Sequence, residues 1–198
     1  LTSLSIGLTN SDAKEYGGSA LAAMGPVTKI MSMGTLIVFG FLKGFQPIAG
    51  FSCGARRFER LREAIKTAVL WSTVFCLLFG VTAAVFSAQI VSLFTRYDAE
   101  MVRIGAAALR ANGLSFVFFG FYTVYSFLLL VMGRAAEGCI LGACRQGLCF
   151  VPVILILPAF WELRGVLYAQ PIADVISAAV AAGMALRLHR ELRAAELS

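Results

Sequence analysis

Asp174 is the residue in this chain best placed to do chemistry, because it is the one acid deep inside an apolar run. At 1.5 Å per residue it lies about 3 Å from the middle of the run 165–187. Its side chain is too short to reach an interface, and Pro171 precedes it on the same stretch. An ionisable group at hydrocarbon depth costs about 2.5–3.5 kcal/mol on insertion scales and by default marks a functional site. Two readings stay open: a site for proton or cation coupling, or a structural acid held by a lysine, an arginine or a freed backbone group of a neighbouring helix.

Other polar groups lie shallower or carry no charge. Lys29 and Lys43 sit about 12 and about 9 Å from the middle of the run 26–48, and their stems can snorkel toward opposite interfaces as anchors. The same two lysines fall within roughly 40° of one helix face, which makes that face a candidate cavity wall. Arg110, near the outer end of its run, is expected to be an anchor or a partner for an acid. The candidate cavity or substrate contacts are Asn10, Lys29, Lys43, Gln46, Asn112 and Tyr122. Tyr125, Gln170, Met31, Met33, Phe116, Phe118, Phe119 and Phe121 could join them. Soft methionines and aromatic faces suit bulky cations, and equally suit packing on lipid or on neighbouring helices. Pro47 and Pro171 are candidate hinges, since each removes a backbone hydrogen bond and permits a bend.

Several chemistries have no support. The cysteines number 5 and lie mostly within apolar runs, so they do not make the framework of a secreted disulfide domain. On a regular helix Cys139, Cys144 and Cys149 step round by about 140° each, which keeps them from converging on one metal. His189 stands beside Arg187 and Arg190 and is expected to be solvated. There is no nucleophile elbow, zinc-binding helix or phosphate-cradling loop. No enzyme active site, metal or cofactor is expected.

The elements that must position these residues follow from composition. Of the 198 residues 59% are hydrophobic and only 14% charged, against roughly 25% charged in an ordinary soluble domain. About 20 apolar residues cross a hydrocarbon core of about 30 Å. Five runs qualify, at about 26–48, 65–88, 104–132, 138–159 and 165–187. Leu1 to Asn10 is apolar but short, and is expected to be the tail of a further span (1–10, partial).

The net charge of +6 has a membrane explanation. Arg56, Arg57, Arg60, Arg62 and Lys66, then Arg134 and Arg145, then Arg187, Arg190 and Arg193 occupy alternate connections and the tail. Those segments are expected to face the cytoplasm, the C-terminus included. The other connections balance Lys14, Arg96 and Arg164 with Asp12, Glu15, Asp98, Glu100 and Glu162. Because the basic residues are split among separate segments, no nucleic-acid partner is implied. The small-residue steps Gly40–Gly44, Gly50–Gly54 and Gly138–Gly142 are expected to bring helices close.

One motif is specific. Gly44, Pro47, Gly50, Gly54, Ala55 and Arg56 fill the pattern G-x-x-P-x-x-G-x-x-x-G-A-[KR], and the stretch resembles the end of the second helix in the C-terminal lobe of multidrug and toxic compound extrusion (MATE) transporters, in their MepA-like bacterial branch. The resemblance implies an all-α polytopic transmembrane bundle over 1–198, the C-terminal six-helix lobe of a two-lobe transporter with its first helix truncated. Leu1–Asn10 would be the end of the seventh helix and the full runs the eighth to twelfth. It also implies a multidrug efflux antiporter of the bacterial inner membrane, which exports lipophilic organic cations in exchange for protons or sodium by alternating access. Its partners would be membrane lipids and the N-terminal lobe. Pro171 and Asp174 resemble a proline–aspartate step common in the last helix of the family. Some members carry acids in the seventh and tenth helices, whereas 104–132 has none. Two other readings are a lipid-linked oligosaccharide flippase of related fold, to which Lys29, Lys43 and Arg110 would contribute cationic groups, and a non-transport membrane scaffold.

Overall fold

The computed structural model describes the backbone at 18–94, 99–144, 147 and 149–196, and the side chains of those residues except 18–22, 158–167 and 192–196. Asn10 and the expected partial span Leu1–Asn10 lie outside the described residues. Every described element is helical: α1 Gly18–Gly54, α2 Phe58–Val85, α3 Ser87–Ser92, α4 Ala99–Val131, α5 Ala135–Ala143 and α6 Phe150–Glu196. In hydrocarbon a segment must satisfy its own backbone hydrogen bonds, which leaves the helix as the form open to an isolated apolar run. Among the described residues, four stretches are long and apolar enough to cross a membrane: Ala23–Gly54, Phe58–Val85, Ala99–Val131 and Tyr168–Glu191.

α1 does not stop at the Gln46–Pro47 pair, where its expected span ended, but runs on to Gly54 with both Pro26 and Pro47 inside it. A proline removes one hydrogen bond, and that loss is tolerated in membrane helices where neighbouring groups re-satisfy the backbone. The terminator is Arg56, held at φ 53° in the left-handed region. Arg57 N–H donates to Ser52 C=O at 2.9 Å and Arg56 N–H to Cys53 C=O at 3.1 Å, the paired bonds of a Schellman cap. α4 ends the same way: Gly133 has φ 80°, and Arg134 N–H donates to Leu129 C=O at 2.9 Å. One cap therefore uses glycine and the other an arginine with a Cβ. Left-handed geometry costs an L-residue about 1–2 kcal/mol, so Arg56→Gly is expected to raise stability by about 1 kcal/mol. A thermal-unfolding series of the purified protein in detergent checks this, and a lower midpoint for Arg56→Gly would contradict it.

The last two expected spans are built differently. Instead of one helix over 138–159, α5 closes at Ala143 and α6 opens at Phe150. Between them Cys149 N–H donates to Cys144 C=O at 2.8 Å, a turn one residue wider than the α-helical one. α6 is helical backbone over 47 residues. A straight rod of that length would measure about 70 Å. Phe150 and Ile154, however, share a buried cluster with Ala169 and Ala173. Ile154 and Ala169 would be about 22 Å apart on a straight helix, so the helical run doubles back between them.

Contacts fix the directions. Ala23 meets Gly105 and Val131 meets Gly50, so α1 and α4 run the same way. Gly80 meets Gly113 and Ser72 meets Gly120, so α2 runs opposite to α4. Ser115 bonds Asp174 and Tyr125 bonds His189, so the C-terminal part of α6 again runs with α4. α4 is the central element, with 61% of its apolar window buried against 28% for α1 and for α2.

The tightest helix crossing lies where no G-x-x-x-G step marks it. A Cβ on Gly80 would stand 2.2 Å from Gly113 O, one on Gly113 2.6 Å from Gly80 O, and one on Gly120 2.8 Å from Ser72 O. Around Gly40, Gly44 and Gly54 there is nothing within 4 Å, so those expected packing steps are open. Gly50 faces Val131, and Gly138 and Gly142 pack against Ser126.

Candidate functional site

Asp174 is 1% exposed, enclosed between α6 and α4. Ser115 Oγ donates to its Oδ2 at 3.0 Å, and Gln170 Nε2, one turn earlier on α6, donates to Oδ1 at 3.3 Å. Ser115 is the middle residue of Ala99–Val131, so the carboxyl group meets α4 at mid-depth. The Ser115 hydroxyl also lies 3.0 Å from Asn112 C=O. Asn112 in turn spends its amide on Ala108 C=O at 2.9 Å. One turn beyond Asp174, Ser177 is fully buried and its hydroxyl has no hydrogen-bond partner among the described residues.

The arrangement can serve two protonation states. Ser115 has one proton and two acceptors in reach. With Asp174 ionised, the hydroxyl donates to the carboxylate. With Asp174 protonated, the acid can donate to Ser115 Oγ while Ser115 donates to Asn112 C=O. Neither state strands a buried polar group, which would otherwise cost about 1–3 kcal/mol. The idle Ser177 hydroxyl sits on the Asp174 side of α6, since residues three apart share a helix face. It offers a further oxygen for a water or a small cation.

The other expected residues are distributed differently. Lys29 and Lys43 are both exposed on α1, Gln46 is half-buried there, and Pro47 is exposed. Asn112 and Tyr122, expected to line a cavity, are instead packed inside: they are 8% and 3% exposed, and the Tyr122 ring stands edge-on to Phe119 at 5.6 Å. The physical reason is that α4 is surrounded, so most of its azimuths face protein. Phe116 and Phe119 stack at 4.9 Å in the core, whereas Phe118 is exposed. Pro171 is half-buried, one turn from Asp174. Arg110 Nε donates to Ser87 Oγ at 2.9 Å, tying α4 to α3.

A second polar cluster closes the far end of the same helix pair. Tyr125 OH and His189 Nε2 are 3.0 Å apart, so His189 is engaged rather than solvated. Arg134 pairs with Glu191, which also takes Arg187 Nε at 3.2 Å. Sequence reasoning missed Ser115, His189's partner and these pairs. The available signal was the polar cluster Asn112–Ser115 in the middle of an apolar run.

Residues 2–156 match the MatE family. The multidrug export protein MepA of Staphylococcus aureus (strain N315) is 27% identical over 172 residues, covering 84% of this chain and 36% of that protein. MepA of Staphylococcus haemolyticus (strain JCSC1435) is 24% identical over 177 residues, covering 89% of this chain and 38% of the relative. The chain thus spans little more than a third of the length of these curated relatives. Among solved structures, a multidrug resistance MATE family transporter of the MOP superfamily in its outward-facing conformation superposes with TM-score 0.87 at 22% identity, over 100% of this chain and 44% of that one. A MOP superfamily transporter from Pyrococcus furiosus, described as having a binding pocket of reverse polarity that suggests a different function, superposes with TM-score 0.86 at 22% identity, over 98% of this chain and 44% of that one.

Proposed function

Because this chain belongs to the MatE family of membrane transporters, we propose that it forms the C-terminal lobe of a multidrug antiporter, exporting lipophilic organic cations in exchange for protons or sodium. The observation that carries the coupling role is the buried Asp174 carboxyl group, held at the middle of α4 by a hydroxyl that can serve either protonation state. Proton binding there would favour one packing of α6 on α4 and proton loss another, which is what coupled alternating access requires of an ion site. Pro171 lies one turn away and acts as the hinge that lets this part of α6 respond, with Pro47 serving α1 in the same way.

The proposed lobe has five complete crossings, at about 26–48, 65–88, 104–132, 138–159 and 165–187, after the partial span 1–10. Supporting this reading, α4 and the C-terminal part of α6 run parallel, so the chain between Arg134 and Asp174 must travel back across the bilayer. The Schellman-capped ends of α1 and α4 then lie on one side with Arg56, Arg57, Arg134 and Arg187, which supports a cytoplasmic C-terminus in a bacterial inner membrane. Lipids and an N-terminal lobe are the partners. Lys29, Lys43 and Gln46 would look toward that lobe as substrate-facing groups of α1.

The test is efflux of a fluorescent organic cation from cells expressing the full-length gene. Export should collapse when an uncoupler removes the proton gradient, or when sodium is replaced by choline if sodium is the coupling ion. Export of no cation even with both ion gradients intact would sink the multidrug reading. It would favour an anionic, lipid-linked substrate of the flippase kind, for which the exposed Lys29 and Lys43 are the supporting observation.

A further inference from the structure

The join between α5 and α6 brings together two thiols that a regular helix would hold apart. Cys144 ends the α5 side and is 5% exposed, and Cys149 begins the α6 side and is half-buried. On a 3.6-residue helix, residues five apart diverge by about 140°. Here Cys149 N–H donates to Cys144 C=O at 2.8 Å, a bond that reaches back five residues rather than four and brings the second cysteine back toward the azimuth of the first. The two thiols lie within reach of one another. The remaining cysteines lie elsewhere: Cys53 on α1, Cys76 on α2, and Cys139 exposed on the regular part of α5.

We propose that Cys144 and Cys149 form a vicinal dithiol site that takes a trivalent arsenical as a two-sulfur ligand. Thiolates prefer soft, polarisable centres, and two sulfurs held by one backbone turn bind such a centre with much of the ordering cost already met. The step balances without an oxidant. An arsenoso group, R–As=O, forms two As–S bonds, loses its oxygen, and takes the two thiol protons away in one water. Burial at a membrane-embedded join favours lipophilic arsenicals over charged thiol reagents. Binding would also clip the wide turn shut, stiffening the connection between α5 and α6.

The probe is phenylarsine oxide added to the purified full-length transporter, followed by excess 2-mercaptoethanol to strip singly bound arsenic. Intact-mass measurement should then show a retained adduct that 2,3-dimercaptopropanol releases. Cys144→Ala and Cys149→Ala should each retain one adduct fewer than the wild type, while Cys53→Ala, Cys76→Ala and Cys139→Ala keep the wild-type number. An unchanged number in Cys144→Ala or Cys149→Ala overturns the site. Should either variant fail to fold, the wild type alone decides. After arsenical treatment Cys144 and Cys149 should be protected together from N-ethylmaleimide in a peptide map, and labelling of both at the untreated rate would refute the proposal.

Discussion

Asp174→Asn in the full-length transporter is expected to reduce ion-driven cation export by at least about tenfold while leaving the protein as stable as the wild type or more so. The two effects separate because they arise from different terms. Asparagine keeps the shape of the side chain and can still bond Ser115 and Gln170, which now hold Oδ2 and Oδ1 at 3.0 and 3.3 Å. It cannot gain or lose a proton. Replacing a buried ionisable group by a neutral group of similar volume is often neutral or stabilising, since the desolvation cost disappears. A structural acid would behave in the opposite way: its neutralisation would lower the unfolding midpoint, and export would fall only through loss of protein. Export per inserted molecule, measured beside thermal unfolding in detergent, distinguishes the two. Normal export in a stable Asp174→Asn protein would move coupling out of this lobe. Ser115→Ala is a milder version, removing a hydrogen bond to a charged group worth about 1.5–3 kcal/mol.

Gly80→Ala is expected to be among the most destabilising single-methyl additions in the chain, costing about 1–3 kcal/mol. The methyl would stand 2.2 Å from Gly113 O and 3.1 Å from Gly113 C, and backbone atoms cannot move aside as a side-chain tip can. α2 must therefore pull away from α4, which also loosens the neighbouring approach of Gly120 to Ser72, and close approach is a main source of helix association in lipid. Gly40→Ala is the matched control: nothing lies within 4 Å of its new methyl, and alanine gains about 1 kcal/mol of helix propensity over glycine. The midpoint of thermal unfolding should fall for Gly80→Ala and hold or rise for Gly40→Ala. Equal losses at the two positions would mean that the α2–α4 crossing is not the close one.

Both predictions rest on features of very different legibility. Asp174 stands out in one dimension, because a short acid inside an apolar run is conspicuous whatever surrounds it. Its partner Ser115 does not, since a serine in a membrane helix can bond its own preceding carbonyl. Ser72 does so with Ala68 C=O at 2.6 Å. The glycine crossing was likewise hidden: Gly80 and Gly113 oppose each other from different helices, whereas a search for spaced pairs looks along one helix. That search instead favoured Gly40 and Gly44, which face open space.

The sequence by itself determined that this is an all-helical membrane protein and which family it belongs to. Each of those properties is local: hydropathy decides whether about 20 successive residues can reside in hydrocarbon, and the motif Gly44 to Arg56 is contiguous. Tertiary structure alone decided which groups meet. It set Ser115 against Asp174, His189 against Tyr125, Gly80 against Gly113 and the Cys149 backbone N–H on the Cys144 carbonyl. Such meetings depend on helix azimuth, vertical register and the width of a single turn. One extra residue in the turn at Cys144 rotates everything beyond it, a change that no periodicity counted at 3.6 residues per turn can register.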